Sequence, residues 1–140
     1  MAVLRELETP LQVDVRGGPQ PGFPVVANTT AASTERLVFW LGPDEWLVLG
    51  ATEDDFPDAA AAVDVSANRV AFELSGPDAA EVLAQGCSLD LDAMAPGGCA
   101  QTLLASAQVI LYRVEPDTFG ILVRPSFADY LHAWLRDATA

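Results

Sequence analysis

A chain of 140 residues with 51% apolar content can bury one substantial core and is short for two ordinary domains. Twenty acidic residues oppose seven arginines and no lysine, giving a formal net charge of −13. Such a surface repels phosphate backbones and anionic lipid, which argues against nucleic-acid and membrane-surface roles; the acidity either keeps an apolar domain soluble or matches a basic partner.

The opening MAVLRELETP alternates apolar and charged residues and lacks the apolar centre of a secretory signal. No apolar run approaches the roughly 18 residues of a membrane span, so a cytoplasmic location is expected. In that reducing compartment the two cysteines, Cys87 and Cys99, are expected as free thiols. Residues 1–35 carry RGGPQPGFP and NTTAAST, whose glycine, proline, serine and threonine favour irregular chain. They read as an extended N-terminal arm, leaving residues 36–140 as a single α+β domain.

From Leu37 the pattern changes. LVFWL (37–41), the turn GPDE and WLVLG (46–50) predict a β-hairpin, followed by a short alanine-rich helix from about Asp55 to Ala62. VAFEL (70–74) has the two-residue period of a half-buried strand. Gly76-Pro77 opens a helix over PDAAEVLAQ that Gly86 ends. QTLLA, QVILYRV and FGILV (119–123) give three further strands, the last two joined across EPDT. The chain closes with a helix capped by Ser126 whose apolar face is Phe127, Tyr130, Leu131, Trp134, Leu135 and Ala138. LGPDEWLVLG (41–50) echoes VEPDTFGILV (114–123), which suggests two hairpin-plus-helix halves sharing one mixed, mostly antiparallel sheet with helices packed on it.

The segment Gly86–Cys99, GCSLDLDAMAPGGC, looks chemical. A structural zinc site wants four nitrogen or sulfur ligands, and two cysteines twelve positions apart without a nearby histidine do not supply them. Asp90 and Asp92 would raise a thiol's pKa rather than activate it, so both cysteines read as small buried hydrophobes, with a disulfide geometrically open. His132, the single histidine, lies off the apolar face of its helix, and neither Ser66 nor Ser75 has a matching base. Trp40, Trp46 and Trp134 read first as core, or as interface anchors where exposed. Arg69 and Arg113 either pair with surface carboxylates or bind the carboxylate of a substrate or partner.

WLGPDEWLVLG (40–50), DVSANRVAFELSGPDAAEVLAQGCSLDL (64–91), GGCAQTLLASAQVILYR (97–113) and FGILVRPSFADYLHAWL (119–135) resemble the gamma subunit of heterotetrameric sarcosine oxidase. QVDVR (12–16) and FPVVANT (23–29) agree with it. The resemblance implies a fold similar to the folate-binding domain of the glycine-cleavage T-protein. It also implies a non-catalytic subunit with alpha, beta and delta partners, in a complex that oxidatively demethylates sarcosine to glycine. FAD, FMN, NAD, zinc and tetrahydrofolate are then expected on the other subunits, with no catalytic, cofactor or metal residue in this chain. Arg16, Trp46, Arg69, Leu89 and Asp90 are the expected partner-facing residues. The alternative is a stand-alone tetrahydrofolate-binding protein of the aminomethyltransferase type, which would need a pocket and a base of its own.

Overall fold

The apolar runs of the sequence become ten strands whose pairings are all antiparallel. In the computed structural model, which describes residues 1–140, the elements in chain order are β1 (Val3–Glu6), β2 (Gln12–Arg16), β3 (Thr30–Ala32), β4 (Leu37–Gly42), β5 (Glu45–Leu49), β6 (Ala61–Asp64), β7 (Val70–Ser75), α1 (Ala79–Ala84), β8 (Cys99–Leu104), β9 (Ala107–Glu115), β10 (Thr118–Val123) and α2 (Pro125–Thr139). Two compact units result, Thr9–Ala67 and Met1–Glu8 with Asn68–Ala140. The class is α+β, as the sequence implies, but the strands form two five-stranded sheets, β3-β4-β5-β2-β6 and β8-β9-β10-β7-β1, rather than one layer.

Written this way, the two sheets share one plan. In each, an edge strand leads into a hairpin, the hairpin's second strand pairs with a strand from earlier in the sequence, and a short edge strand closes the sheet. The internal echo is the hairpin of that plan: β4–β5 turns at Pro43-Asp44 and β9–β10 at Pro116-Asp117, with a register irregularity beside each turn. The helices do not repeat. Both α-helices belong to the unit of residues 1–8 and 68–140, where Val82, Leu83, Ala128, Leu131 and Leu135 join one core with Phe72, Leu74, Leu111, Phe119 and Ile121.

In the unit Thr9–Ala67 the core gathers Val13, Val15, Val38, Trp46, Val48 and Phe56. Residues 12–16 thus form a strand between β5 and β6 rather than an arm. QVDVR has the alternation for it, with Val13 and Val15 fully buried and Arg16 exposed. The helix expected over 55–62 is absent. Thr52 and Asp55 cap a single 3-10 turn, Glu53–Asp55, which stops at Phe56 because the residue before Pro57 is pushed out of helical backbone. Ala61–Asp64 then pairs with β2.

Two further differences lie at α2. Its N-cap is Arg124, with Pro125 in the first turn, so Ser126 already lies inside the helix. Its core residues are Ala128, Leu131 and Leu135, whereas Phe127 and Tyr130 are exposed by 47% and 51%. Tyr130 gives up core contact to donate its hydroxyl to the Ala105 carbonyl at 2.6 Å.

The first unit also carries a group that titrates near neutrality. Glu45 sits opposite Arg16. Its carboxyl is pushed up to about 7, first by the hydrogen bond it shares with the Asp14 side chain, then by burial and the negative charges of Asp14 and Asp44, against the pull of Arg16. Since the ordinary value is 4.5, the folded chain holds this proton better than the unfolded one. Its stabilising contribution is complete below pH 4.5 and is lost as pH rises through about 7. Urea unfolding at pH 5 and pH 8 should show a smaller pH-dependent loss in Glu45→Gln than in the parent; identical losses would contradict the shared proton.

Candidate functional site

The sheet of the unit 1–8 and 68–140 has one face under the helices and one away from them. Val109 and Val123 belong to the core beneath the helices, so the residues one position away in sequence face the opposite side. The register Val70↔Val123 sets Arg69 opposite Arg124 just beyond the strand ends, while Val109↔Val123 and Leu103↔Gln108 extend the same row through Gln108 to Leu103. Two residues further along, Gln101, Ile110, Leu122 and Ala71 form a parallel row. Between these rows lies a cavity of about 310 Å³ lined by Arg69, Arg124, Gln101, Gln108, Thr102 and an apolar floor that includes Ile110 and Leu122. It is the arginine-rich concavity of an otherwise acidic chain.

The expected site residues do not gather there. Only Arg69 lines the cavity. Arg16 is spent on Asp14 and Glu45 at 3.4 and 3.0 Å. Trp46, expected to face a partner, is instead 1% exposed: its indole N–H donates to the Pro24 carbonyl at 2.7 Å and its ring packs 5.7 Å from Phe23, so it presents no surface to a partner. Leu89 is outward, 38% exposed, while Leu91 anchors inward at 4%. Asp90 accepts the Asp92 N–H at 3.2 Å and so caps the 3-10 turn Leu91–Ala93. Arg124 was not singled out from sequence; the signal that finds it is the strand register, since nothing local marks it.

GCSLDLDAMAPGGC is anchored at three points, Cys87, Leu91 and Cys99, which are buried, while most of the residues between them are exposed. Cys87 and Cys99 are both buried free thiols, and no group of three or more His, Cys, Asp or Glu converges anywhere to hold a metal. Gly86 follows the α1 C-cap Gln85, and its lack of a side chain matters for close approach: a Cβ there would stand 2.8 Å from the Trp134 ring and 3.0 Å from the Ala105 nitrogen. Arg113 ties the segment down through the carbonyls of Leu91 and Met94 at 3.1 and 2.7 Å, so it pairs with backbone rather than with carboxylates. His132 lies with its ring 5.5 Å from that of Phe72, half-buried against the core.

Burial pushes the Cys99 thiol up to about 11, which leaves only about one molecule in a thousand as thiolate at pH 8. Iodoacetamide is expected to leave Cys99 unmodified in the folded chain and to label it on addition of denaturant. Fast native labelling would refute the buried placement. Cys87→Ala with Cys99→Ala should lower stability by about 1 kcal/mol per site through lost apolar contact.

Two five-stranded antiparallel sheets on one plan, with helices on one of them, define an α+β fold shared with the glycine cleavage system aminomethyltransferase T of Bartonella henselae. That similarity has a TM-score of 0.68 over 96% of this chain and 45% of that one, at 16% identity. Residues 21–140 match the model of the sarcosine oxidase, gamma subunit family, and the chain belongs to that family. It is 35% identical to the sarcosine oxidase subunit gamma of Corynebacterium sp. (strain P-1), over 96% of this chain and 78% of the relative. With the subunit gamma of an Arthrobacter species the identity is 33%, over 97% and 79%. A chain of the heterotetrameric sarcosine oxidase from Corynebacterium sp. U-96, solved in complex with pyrrole 2-carboxylate, superposes with a TM-score of 0.88 over 98% of this chain and 83% of that one, at 29% identity.

Proposed function

We propose that this chain is the gamma subunit of a heterotetrameric sarcosine oxidase, with a structural and interface role in a complex that demethylates sarcosine to glycine. The observation that carries the reading is the superposition over 98% of the chain on a chain of such an enzyme. The partners are alpha, beta and delta subunits, and FAD, FMN, NAD, zinc and tetrahydrofolate belong to them. The donor set of this chain fits no zinc site, because its two thiols are buried and lack companion ligands. The exposed side chains of Leu89 and Asp90 in the Gly86–Cys99 segment face a partner, as do Arg16 and Arg69.

Co-expression with the neighbouring flavin-bearing subunits is the test. The tagged chain should co-purify with them as one complex, and calorimetric titration of the isolated chain with tetrahydrofolate should be silent. A chain that never captures a flavoprotein and itself binds tetrahydrofolate at micromolar concentration is instead a stand-alone one-carbon protein.

A further inference from the structure

We propose, resting on the reading of this chain as a subunit of a larger complex, that the groove between α1 and α2 docks a basic segment of a flavin-bearing partner subunit, with Trp134 and Tyr130 as its anchors. The groove measures about 560 Å³ and lies open to solvent, lined by Gln85 and Gly86 at the end of α1, the β8–β9 turn Ala105–Ser106, and Tyr130 and Trp134 of α2. Trp134 differs from Trp46. The Trp46 indole is sealed in and its N–H donates to a carbonyl. The Trp134 indole is half-buried against Gly86, and its N–H has no acceptor within the chain. Exposed Tyr130 stands one turn before it on the same face of α2, and exposed Phe127 one turn before that. Tryptophan and tyrosine, large apolar rings with a polar end, are the side chains that most often anchor an interface.

The turn beside these rings is strained, and the groove itself holds it. Ala105 and Ser106 have φ of 50° and 72°, left-handed backbone that a two-residue hairpin turn normally gives to asparagine or glycine. The Ala105 N–H donates to the Gly86 carbonyl at 2.9 Å and the Tyr130 hydroxyl donates to the Ala105 carbonyl at 2.6 Å, so the lining elements fix one another. A surface held in an unfavourable conformation before contact loses little further freedom when a partner docks. Charge then selects the partner. Glu81 stands one turn before Gln85 on α1, and Asp137 one turn after Trp134 on α2. Both are exposed and neither forms an ion pair within the chain, whose arginines neutralise carboxylates elsewhere. No arginine lines the groove. A second copy would bring like carboxylates together, whereas a segment carrying lysine or arginine pairs with them and lays a cation over the indole face.

The test uses the complex co-expressed with the flavin-bearing subunits and purified through a tag on this chain. In the parent, hydroxyl-radical oxidation of Trp134 and Tyr130, read by peptide mass spectrometry, should fall about fivefold or more between the isolated chain and the complex. Glu81→Lys combined with Asp137→Lys should cut the partner captured per tagged chain about tenfold or more. Glu115→Lys makes the same kind of charge change at the end of the nine-residue strand β9 remote from the Ala105–Ser106 turn, and should leave capture unchanged. The footprint of the parent keeps the answer independent of how well any variant folds. A parent chain that captures no flavoprotein overturns the complex and this docking with it. A complex that forms while Trp134 and Tyr130 stay as reactive as in the isolated chain overturns the groove alone, as does capture equally reduced by Glu115→Lys or undiminished in the double variant. Self-association of the isolated chain with Trp134 protected would give the groove to a second copy and overturn the basic partner.

Discussion

Gly120→Ala is expected to destabilise the chain by about 3 kcal/mol, the upper end of what overpacking in a filled interior costs. Gly120 lies in β10, the middle strand of its sheet, directly opposite Tyr112 of β9. The tyrosine ring lies flat over the glycine: a Cβ at this position would run into Cζ, Cε1 and Cε2 of that ring. The ring cannot yield. Tyr112 is 6% exposed, and burial with the nearby Glu73 charge pushes its hydroxyl up to about 12, so it is held as a neutral phenol in a closed space. The cost therefore belongs to the pair and not to the strand propensity of alanine. A double-mutant cycle isolates it, since in a Tyr112→Ala background the added methyl fills space the ring has vacated and its cost should fall below about 0.5 kcal/mol. Chemical denaturation of the four chains gives the answer. An equal penalty in both backgrounds would show that the ring is not what Gly120 accommodates.

Local chemistry made the hairpins legible before any coordinates: Pro43-Asp44 and Pro116-Asp117 are turn pairs between apolar runs, and both hairpins form where expected. The same reasoning failed where a neighbour in sequence or space intervened. Alanines 59–62 look helical, but Phe56 before Pro57 cannot continue a helix, and Ala62 finds a ladder partner in Val15. In the last helix Leu131 and Leu135 take the core positions expected of them, but small Ala128 joins them there while Phe127 is exposed and Tyr130 turns outward to a carbonyl. Val13 and Val15 were hidden in a glycine- and proline-rich stretch whose turns come after them, at Gly17 and beyond. The candidate site shows the limit most clearly. Arg69 can be noticed in the sequence, but its opposition to Arg124, fifty-odd residues away, exists only once β7 and β10 pair in register.

Arg113→Ala is the second large effect expected, about 3 kcal/mol, because it strips a charged donor from several acceptors at once. One guanidinium holds two loops. Its Nη1 donates to the carbonyls of Leu91 and Met94, and its Nε and Nη2 donate to the Pro116 carbonyl at 3.1 and 2.6 Å. The plane lies 5.0 Å from the centre of the Phe119 ring, adding a cation–π contact. Its backbone continues the clamp, accepting from Gly97 at 2.8 Å and donating to Gly98 at 3.0 Å. Removing the side chain strands the Met94 carbonyl and leaves the Leu91 carbonyl only the Met94 N–H at 3.1 Å, at the point where the Gly86–Cys99 segment has only one side chain, Leu91, buried in its middle. Lysine cannot substitute, since a single ammonium cannot serve acceptors on both sides of the strand, so Arg113→Lys should recover less than half of the loss. Loosening should be local as well as global. Limited proteolysis of Arg113→Ala is expected to cut between residues 88 and 98 at protease concentrations that leave the parent whole, and unfolding should shift by the stated amount. A variant with unchanged unfolding and an uncut segment would mean that the loop is held by its own turns, and that the guanidinium merely lies alongside.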